Sequence, residues 1–278
     1  MAQRIVVPLD GSKNGELALT PAIRLARLYG AHLHLVHAID GEVVSSVAEV
    51  ERARELFRAY TEELLARLGG ADIEHSCSVL EGNAARVVLD LSSGAALVVL
   101  SSHGRSGLRA GLIGSVADKI VRGATAPTLV VPLASRADFE KRPVVIALDG
   151  SETAELGLAA GRELAKRLGS PVTLVRAYSI PPPVGAEFVG YPVDVITIME
   201  EAAEAYLAEK ALPGEQTVCT MASAVEAIAE AADMVDAGIV VMTSHGKGFA
   251  HRIALGSVTD RAMHTLRRAL LIVPVGAD

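Results

Sequence analysis

The sequence is poor in aromatic residues, which make up 3% of its 278 residues, and it contains no tryptophan. This shortage argues against a base-stacking nucleic-acid platform, which needs exposed aromatic rings. The chain also lacks an excess of positive charge, because its formal net charge is −7. Proteins that hold nucleic-acid backbones usually carry a basic face, so we do not expect DNA or RNA as a partner.

Cysteines are also scarce. Cys77 and Cys219 are the only two, which excludes a disulfide scaffold, and no Cys/His spacing is typical of a zinc site. The first residues lack the basic start and long apolar stretch of a secretory signal, and the apolar runs are too short to cross a bilayer. These absences predict a cytoplasmic protein with no membrane partner.

What the sequence does contain is a repeat of itself. Ser101–Gly104 reads SSHG and Thr243–Gly246 reads TSHG, and in each case Gly-Ser follows after nine further residues. Three pairs of identical residues lie 142 positions apart: Cys77 and Cys219, His103 and His245, and Pro132 and Pro274. Nearer the start of the chain, Asp10 and Asp149 lie 139 positions apart. A repeat of this length indicates two copies of one whole domain.

We therefore predict domains at 1–137 and 143–278, joined by a short polar linker. The constant spacing predicts that the later part of the repeat aligns without a gap, which places Cys77 and Cys219 at equivalent buried strand positions. The three-residue change in spacing is expected in the variable stretches after Ile39 and Tyr178.

Within each copy, short apolar β-branched runs alternate with amphipathic segments. In the first copy this pattern predicts strands at 4–9, 32–38, 73–80, 97–100 and 128–131. It predicts helices at 14–29, 49–68, 84–91 and 115–122. The second predicts strands at 144–148, 172–177, 216–221, 239–242 and 270–273, with helices at 156–168, 199–210, 224–232 and 257–265. Such alternation predicts a parallel sheet covered by helices on both faces. Pro21 is expected to kink its helix, and residues 181–183 to form an extended loop.

Candidate site residues cluster where the predicted strands end, which is where open α/β sheets bind ligands. Asp10 and Asp149 follow the first strand of each copy, and each fourth strand runs into the SHG loop. Ser115 and Ser257 are predicted to cap the next helix, with Asp118 and Asp260 three residues on, as in a capping box. A glycine-lined loop leading into a helix N-terminus predicts an anion site. Taken alone, one such loop is also consistent with an ordinary turn between a strand and a helix.

The pattern V-P-x-D-x-S, then S-H-G, nine residues, G-S-V and a closing V-V-P resembles the universal stress protein family. The resemblance covers nearly the whole chain twice, so the chain is similar to tandem-domain members of the ATP-binding branch. The family's motif is G-x-x-G, nine residues, G-[S/T]; here Ser101 and Thr243 replace its leading glycine. Pro8, which precedes the first aspartate, is replaced by Ala147 in the second copy. The resemblance implies ATP-binding residues at Pro8, Leu9, Asp10, Ala38, Leu100, Ser101, His103, Gly104, Gly114, Ser115 and Val116, and at Ala147, Leu148, Asp149, Ala177, Met242, Thr243, His245, Gly246, Gly256, Ser257 and Val258.

The resemblance further implies five-stranded domains of flavodoxin-like or Rossmann-like type, with strands in flavodoxin-like order. It implies pairing through the last strand of each copy, which gives a pseudo-dimer within one chain, and assembly of two chains into a homodimer. It implies an ATP-dependent regulator of the stress response, with Mg²⁺ held through the phosphates and a regulatory protein partner that the sequence does not identify.

No catalytic motif of an ATPase, hydrolase or metalloprotease occurs, so we expect slow ATP hydrolysis at most. One alternative is a nucleotide-free interaction module of the same fold that works through dimerisation, and another is an adenine-nucleotide-dependent enzyme. His103 and His245 either brace the loop or donate to a phosphate, and Arg105 and Lys247 are phosphate contacts or solvated charges. His32 and His34 share one strand face and are solvated or, alternatively, bind a metal.

Overall fold

A computed structural model of the chain describes residues 3–39, 46–104, 113–134, 139–179, 193–246 and 255–276. The first copy consists of β1 (Arg4–Pro8), α1 (Lys13–Glu16), α2 (Leu19–Tyr29), β2 (His32–Ile39), α3 (Val47–Arg67), β3 (His75–Glu81), α4 (Ala84–Ser92), β4 (Leu97–Ser101), α5 (Ser115–Gly123) and β5 (Thr128–Val131). The second consists of β6 (Val144–Ala147), α6 (Glu152–Leu168), β7 (Val172–Tyr178), α7 (Val193–Lys210), β8 (Gln216–Met221), α8 (Ala224–Met234), β9 (Ile239–Thr243), α9 (Ser257–Thr265) and β10 (Ala269–Val273). The predicted fold class is confirmed. The loop expected at 181–183 lies outside the described residues.

The helix predicted over 14–29 is divided into α1 and α2 rather than kinked. Pro21 is the third residue of α2, and in that first turn its missing N–H needs no partner within the helix. The second copy has Ala160 at this position, and its helix α6 runs without a break from Glu152 to Leu168. A single proline therefore explains why the two copies differ here.

The strands form one ten-stranded sheet in the order β3-β2-β1-β4-β5-β10-β9-β6-β7-β8. All neighbours within a copy are parallel, and β5 pairs antiparallel with β10, with Leu129 opposite Leu271. The last strands of the two copies thus join them within one chain. Each copy has the order 3-2-1-4-5, which is the Rossmann order, so the expected flavodoxin-like order 2-1-3-4-5 is wrong.

The two copies do not align in the way that the cysteines suggest. Leu35 pairs with Cys77, whereas Leu174, which is equivalent to Leu35, pairs with Thr217. Cys77 therefore corresponds to Thr217, and Cys219 lies two residues further along its strand. The spacing of 142 residues between the copies returns after the next helix, because α4 has 9 residues and α8 has 11. The prediction of equivalent cysteines and a gap-free alignment is wrong, since part of the length change falls in this helix.

Helices cover both faces of the sheet, and strand residues alternate between the two sides. Buried Leu33 and Leu35 pack on the face that carries α2, α3, α6 and α7. Buried Val36 and Val98 pack on the face that carries α4, α5, α8 and α9. In the part of the chain that the structure describes, no helix has the length and apolar character needed to cross a membrane. The cytoplasmic location stays a prediction.

Candidate functional site

The switch in strand order between β1 and β4 places a cavity beyond the carboxyl ends of these strands. The cavity has a volume of ≈ 360 Å³, within the range of about 300–1,000 Å³ that is typical of small-molecule sites. All eleven site residues that the resemblance implies in the first copy line it: Pro8, Leu9, Asp10, Ala38, Leu100, Ser101, His103, Gly104, Gly114, Ser115 and Val116. The fold therefore brings these residues together around one space.

Asp10 is fixed in place by the turn that follows β1. Gly11 has a positive φ of 80°, a conformation that glycine adopts without strain. The turn lets the Ser12 backbone N–H and hydroxyl donate to Asp10 Oδ1, at 3.0 and 2.6 Å. Ser12 Oγ in turn accepts from the Gly15 amide at 3.0 Å and caps α1. Asp10 is thus oriented before any ligand arrives.

Gly104 lies directly against this aspartate. A Cβ atom added to Gly104 would clash with Asp10 Oδ2, so glycine is required for the loop to approach the carboxylate. Asn14 holds the same loop from the other side, because its Nδ2 donates to the Gly104 carbonyl at 3.3 Å. The sequence reasoning missed Asn14, whose position in an expected helix gave no signal of this contact.

The helix start that follows the loop differs from the prediction. Gly114 and Gly256 are the N-caps of α5 and α9, and neither helix has a side-chain cap among the residues that the structure describes. Ser115 and Ser257 are the first helical residues, so their predicted capping role is wrong. The reason is that each loop closes through a backbone bond, from Gly114 N–H to the Ser102 carbonyl at 2.8 Å in the first copy. A glycine N-cap has no side chain to accept from the first turn, so the backbone donors of that turn are suited to an anion.

The expected capping box also fails because its acidic residues have other partners. Asp118 accepts from Arg122 Nε at 2.9 Å, and Arg122 also pairs with Asp260. Both carboxylates are therefore committed to an ion-pair cluster on the helix sides. The helix N-termini face the cavities without a nearby capping carboxylate from these positions.

The replacement of the leading glycines by Ser101 and Thr243 does not fill the cavities. Leu100 and Met242 pack on the α5 and α9 face, so the next residue of each strand points to the opposite face. The Thr243 side chain is only 5% exposed, and its hydroxyl donates to the His245 carbonyl at 2.7 Å. The side chains that seemed to depart from the family pattern are accommodated on the far side of the sheet.

His103 braces the loop through one of its two ring nitrogens. Its Nδ1 lies 2.9 Å from the Ser102 hydroxyl, while its Nε2 is buried with no hydrogen-bond partner among the described residues. His245 makes the equivalent contact with Ser244 at 3.0 Å, and burial lowers its pKa. The bracing role is therefore present in both copies. Arg105 and Lys247 lie outside the described residues.

An apolar slot completes the first cavity. Beside Leu100 it is walled by side chains that the sequence reasoning missed, which belong to β2, α4 and α5: Val36, Val87, Val88 and Ile120. Their spacing is that of ordinary core positions, so no local signal separates them from the core. An apolar slot beside an anion site fits a ligand with a flat apolar end and a charged end.

A polar cluster lies behind Asp10 on the other face of the sheet. The Tyr60 hydroxyl donates to Glu16 at 3.2 Å, and Arg67 pairs with the same carboxylate at 2.6 Å. Burial, together with the charge of Glu16, raises the pKa of Tyr60 to about 12. The second copy repeats the cluster with Tyr206, Glu155 and Lys210. Glu16 lies on α1, the short helix that Ser12 caps directly after Asp10.

The second copy has the same site architecture with less space. Its cavity has a volume of ≈ 120 Å³ and is lined by all eleven implied residues: Ala147, Leu148, Asp149, Ala177, Met242, Thr243, His245, Gly246, Gly256, Ser257 and Val258. Asp149 is held by the Ser151 amide and hydroxyl at 2.9 and 2.6 Å, and a Cβ atom on Gly246 would clash with it. The geometry of the aspartate is therefore preserved, while the volume is not.

The walls of the two cavities differ at several positions. Ile228, Thr259 and Ala154 line the second cavity where the smaller Val88, Ala117 and Gly15 line the first, and Ala147 replaces Pro8. Val87 and Ile120 also line the first cavity, and an alanine takes the place of each in the second copy. The second cavity has about a third of the first cavity's volume.

His32 and His34 of β2 form a hydrogen-bonded chain with two serines of β3. Ser76 Oγ lies 2.7 Å from His32 Nε2 and 2.8 Å from His34 Nδ1, and Ser78 Oγ lies 3.0 Å from His34 Nε2. Within the described ranges, no group of three or more His, Cys, Asp or Glu side chains is placed to hold a metal ion.

Comparison with known proteins agrees with this architecture. The sequence model of the universal stress protein family matches residues 1–132 and 141–274. The universal stress protein Rv2005c of Mycobacterium tuberculosis is 27% identical over 291 aligned positions, which cover 96% of both chains. The crystal structure of a universal stress protein from Archaeoglobus fulgidus superposes with a TM-score of 0.71 at 17% identity, covering 98% of each chain. A protein of Pseudomonas aeruginosa described as a universal stress protein has the same TM-score and identity, over 98% of this chain and 93% of that one.

Proposed function

The chain belongs to the universal stress protein family, and from that premise we propose that it binds ATP in the cavity of its first copy. In this role it would act as a nucleotide-dependent regulator of a stress response. The observation that carries the proposal is the joining of three features around one cavity of ≈ 360 Å³. These features are a fixed aspartate, an apolar slot and a helix start whose N-cap is a glycine.

Each feature suits one part of an adenine nucleotide. The apolar slot beside Val88 and Leu100 offers a surface for the purine, and Asp10 offers a carboxylate acceptor for ribose hydroxyls. The first turn of α5 offers backbone N–H donors and the positive end of the helix dipole to the phosphates. Gly104 and Gly114 let the backbone approach closely, and His103 Nε2 is a buried polar atom that a phosphate oxygen would satisfy.

We propose that Mg²⁺ binds with the nucleotide and is held mainly through its phosphates. When bound, the ion would neutralise phosphate charge. Efficient hydrolysis needs a positioned general base and metal carboxylates near the γ-phosphate, and the sequence shows no motif for either. The proposed activity is therefore binding with slow hydrolysis at most. The protein partner that would read the bound state remains to be identified.

The smaller second cavity favours the hypothesis that the second copy has lost nucleotide binding. A volume of ≈ 120 Å³ lies below the range of about 300–1,000 Å³ that small-molecule sites occupy. If both copies have lost the ability to bind nucleotide, the chain is instead an interaction module of the same fold.

Isothermal titration of ATP and ADP with Mg²⁺, into protein stripped of co-purified nucleotide, tests the proposal. We expect one equivalent of ATP to bind, with a matching rise in the melting temperature. No heat and no thermal shift would overturn ATP binding and favour the interaction module. Two equivalents of equal affinity would show that the difference in cavity volume does not control binding.

A further inference from the structure

The helices that start at the two candidate sites, α5 and α9, lie on either side of the seam between β5 and β10. Helix α5 starts at the first cavity and α9 starts at the second, and both pack on the same face of the joined sheet. In the part of the chain that the structure describes, two polar contacts join the first copy to α9 across this seam. Arg122 of α5 pairs with Asp260 of α9, and the Ile113 backbone N–H donates to His264 Nδ1 at 3.3 Å.

The second contact reaches the backbone of the first cavity's loop. Ile113 directly precedes Gly114, which lines that cavity and is the N-cap of α5. The Gly114 N–H is bonded to the Ser102 carbonyl of its own copy at 2.8 Å. Two successive amides at the end of the loop are therefore held, one by the first copy and one by a histidine of the second.

This support is not reciprocal. Leu255 occupies the position of Ile113 in the second copy, and Arg122 occupies the position of His264 in the first. Arg122 bonds Asp118 and Asp260 instead, and no bond from the first copy to the Leu255 amide is found in the part of the chain described. Among the described residues, the loop of the larger cavity has a hydrogen-bonded support from the opposite copy, and the loop of the smaller cavity has none.

We propose that His264, a residue of the second copy, is a positioning residue for nucleotide binding in the first copy. The inference rests on the proposed function. His264 accepts the Ile113 amide through an unprotonated Nδ1, so its ring carries the proton on Nε2. In doing so it fixes the backbone just before the N-cap, and with it the direction of the amides that face the phosphates. The second copy thereby serves the first site even where its own cavity is small.

The test compares His264→Ala with His264→Asn. The asparagine Oδ1 offers an acceptor close to the place of Nδ1, whereas alanine offers none. Loss of one hydrogen bond should weaken ATP binding at the first site about three- to tenfold in His264→Ala, while His264→Asn should bind close to wild type. The matched control is Thr265→Ala, since this exposed neighbour on α9 bonds only within its own helix, to the Arg261 carbonyl.

Nuclear magnetic resonance supplies a readout that a general loss of stability would not give. In the wild type we expect His264 as the Nε2–H tautomer and an Ile113 amide protected from exchange. That protection should be lost in His264→Ala and kept in His264→Asn and Thr265→Ala. Wild-type ATP affinity in His264→Ala would overturn the inference, as would equal losses in the alanine and asparagine variants. Failure of the wild type itself to bind ATP would instead overturn the proposed function, and this inference with it.

Discussion

Replacing Gly104 with alanine is the sharpest perturbation of the first site. The added Cβ would lie against Asp10 Oδ2, closer than real Cβ contacts are found. The aspartate has little freedom to move away, because its other oxygen accepts the Ser12 amide and hydroxyl at 3.0 and 2.6 Å. Either the loop lifts from the carboxylate or the carboxylate leaves Ser12. Either outcome breaks the close approach of the loop to the Asp10 carboxylate, and with it the arrangement of the two around the cavity.

The size of the effect follows from the bonds at risk. A hydrogen bond to a charged group contributes about 1.5–3 kcal/mol, so its loss should weaken ATP binding about 10- to 150-fold. Breaking the bonds between Asp10 and Ser12 should lower the free energy of unfolding by about 1–3 kcal/mol. Because native domains are stable by about 5–15 kcal/mol, the variant should remain folded.

Calorimetric titration of ATP and urea unfolding measure the two quantities separately. Gly94→Ala is the matched control, because Gly94 has a positive φ of 73° and nothing within 4 Å of an added Cβ. The left-handed strain should cost this control about 1–2 kcal/mol of stability without touching the cavity. ATP affinity in Gly104→Ala equal to that of Gly94→Ala would refute the assignment of Asp10 and Gly104 to the site.

Three further predictions concern the stability of the fold. Burial, followed by the nearby charges of Arg4 and His32, lowers the pKa of His34. The unfolded chain therefore takes up this proton more readily, and the free energy of unfolding should fall as pH decreases below about 6.5. His34→Gln should flatten that part of a urea-unfolding series across pH, and an unchanged slope would contradict the reasoning. Arg162→Ala leaves Glu215, whose side chain is 10% exposed, without its bidentate partner at 2.8 and 2.7 Å. Urea unfolding should show a loss of about 1–3 kcal/mol, and a neutral result would mean that water replaces the guanidinium. Leu271→Ala should cost about 2–5 kcal/mol through a cavity at the seam, with ATP affinity unchanged. A parallel loss of affinity would contradict the expectation that the packing of Leu271, on the opposite face of the sheet from α5 and α9, is independent of the first cavity.

The fold and the polar residues of the site can be predicted from the sequence, because both depend on local signals. Apolar runs and helical spacing predict the strands and helices, and the repeated loop places Gly104 and Gly114 after the fourth strand. Glycines at a close approach and an aspartate at a strand end are visible without any tertiary information.

The rest depends on packing that no short segment encodes. Val88 and Ile120 face the cavity because α4 packs on β1 and β2 and against α5, and their spacing is that of any core position. The shared cysteines mislead, since a two-residue difference in helix length restores the spacing after β8. Gly114 replaces Ser115 as the cap because a backbone bond to Ser102 fixes where the helix begins.

A crystal structure determined with ATP and Mg²⁺ would test the central claim most directly. The account predicts the purine in the slot beside Val88 and Leu100, the ribose at Asp10, and the phosphates at the first turn of α5. It also predicts fuller occupancy in the first copy than in the second. Crystals grown at saturating ATP that hold no nucleotide between β1 and β4 of the first copy would contradict it, as would nucleotide bound only elsewhere.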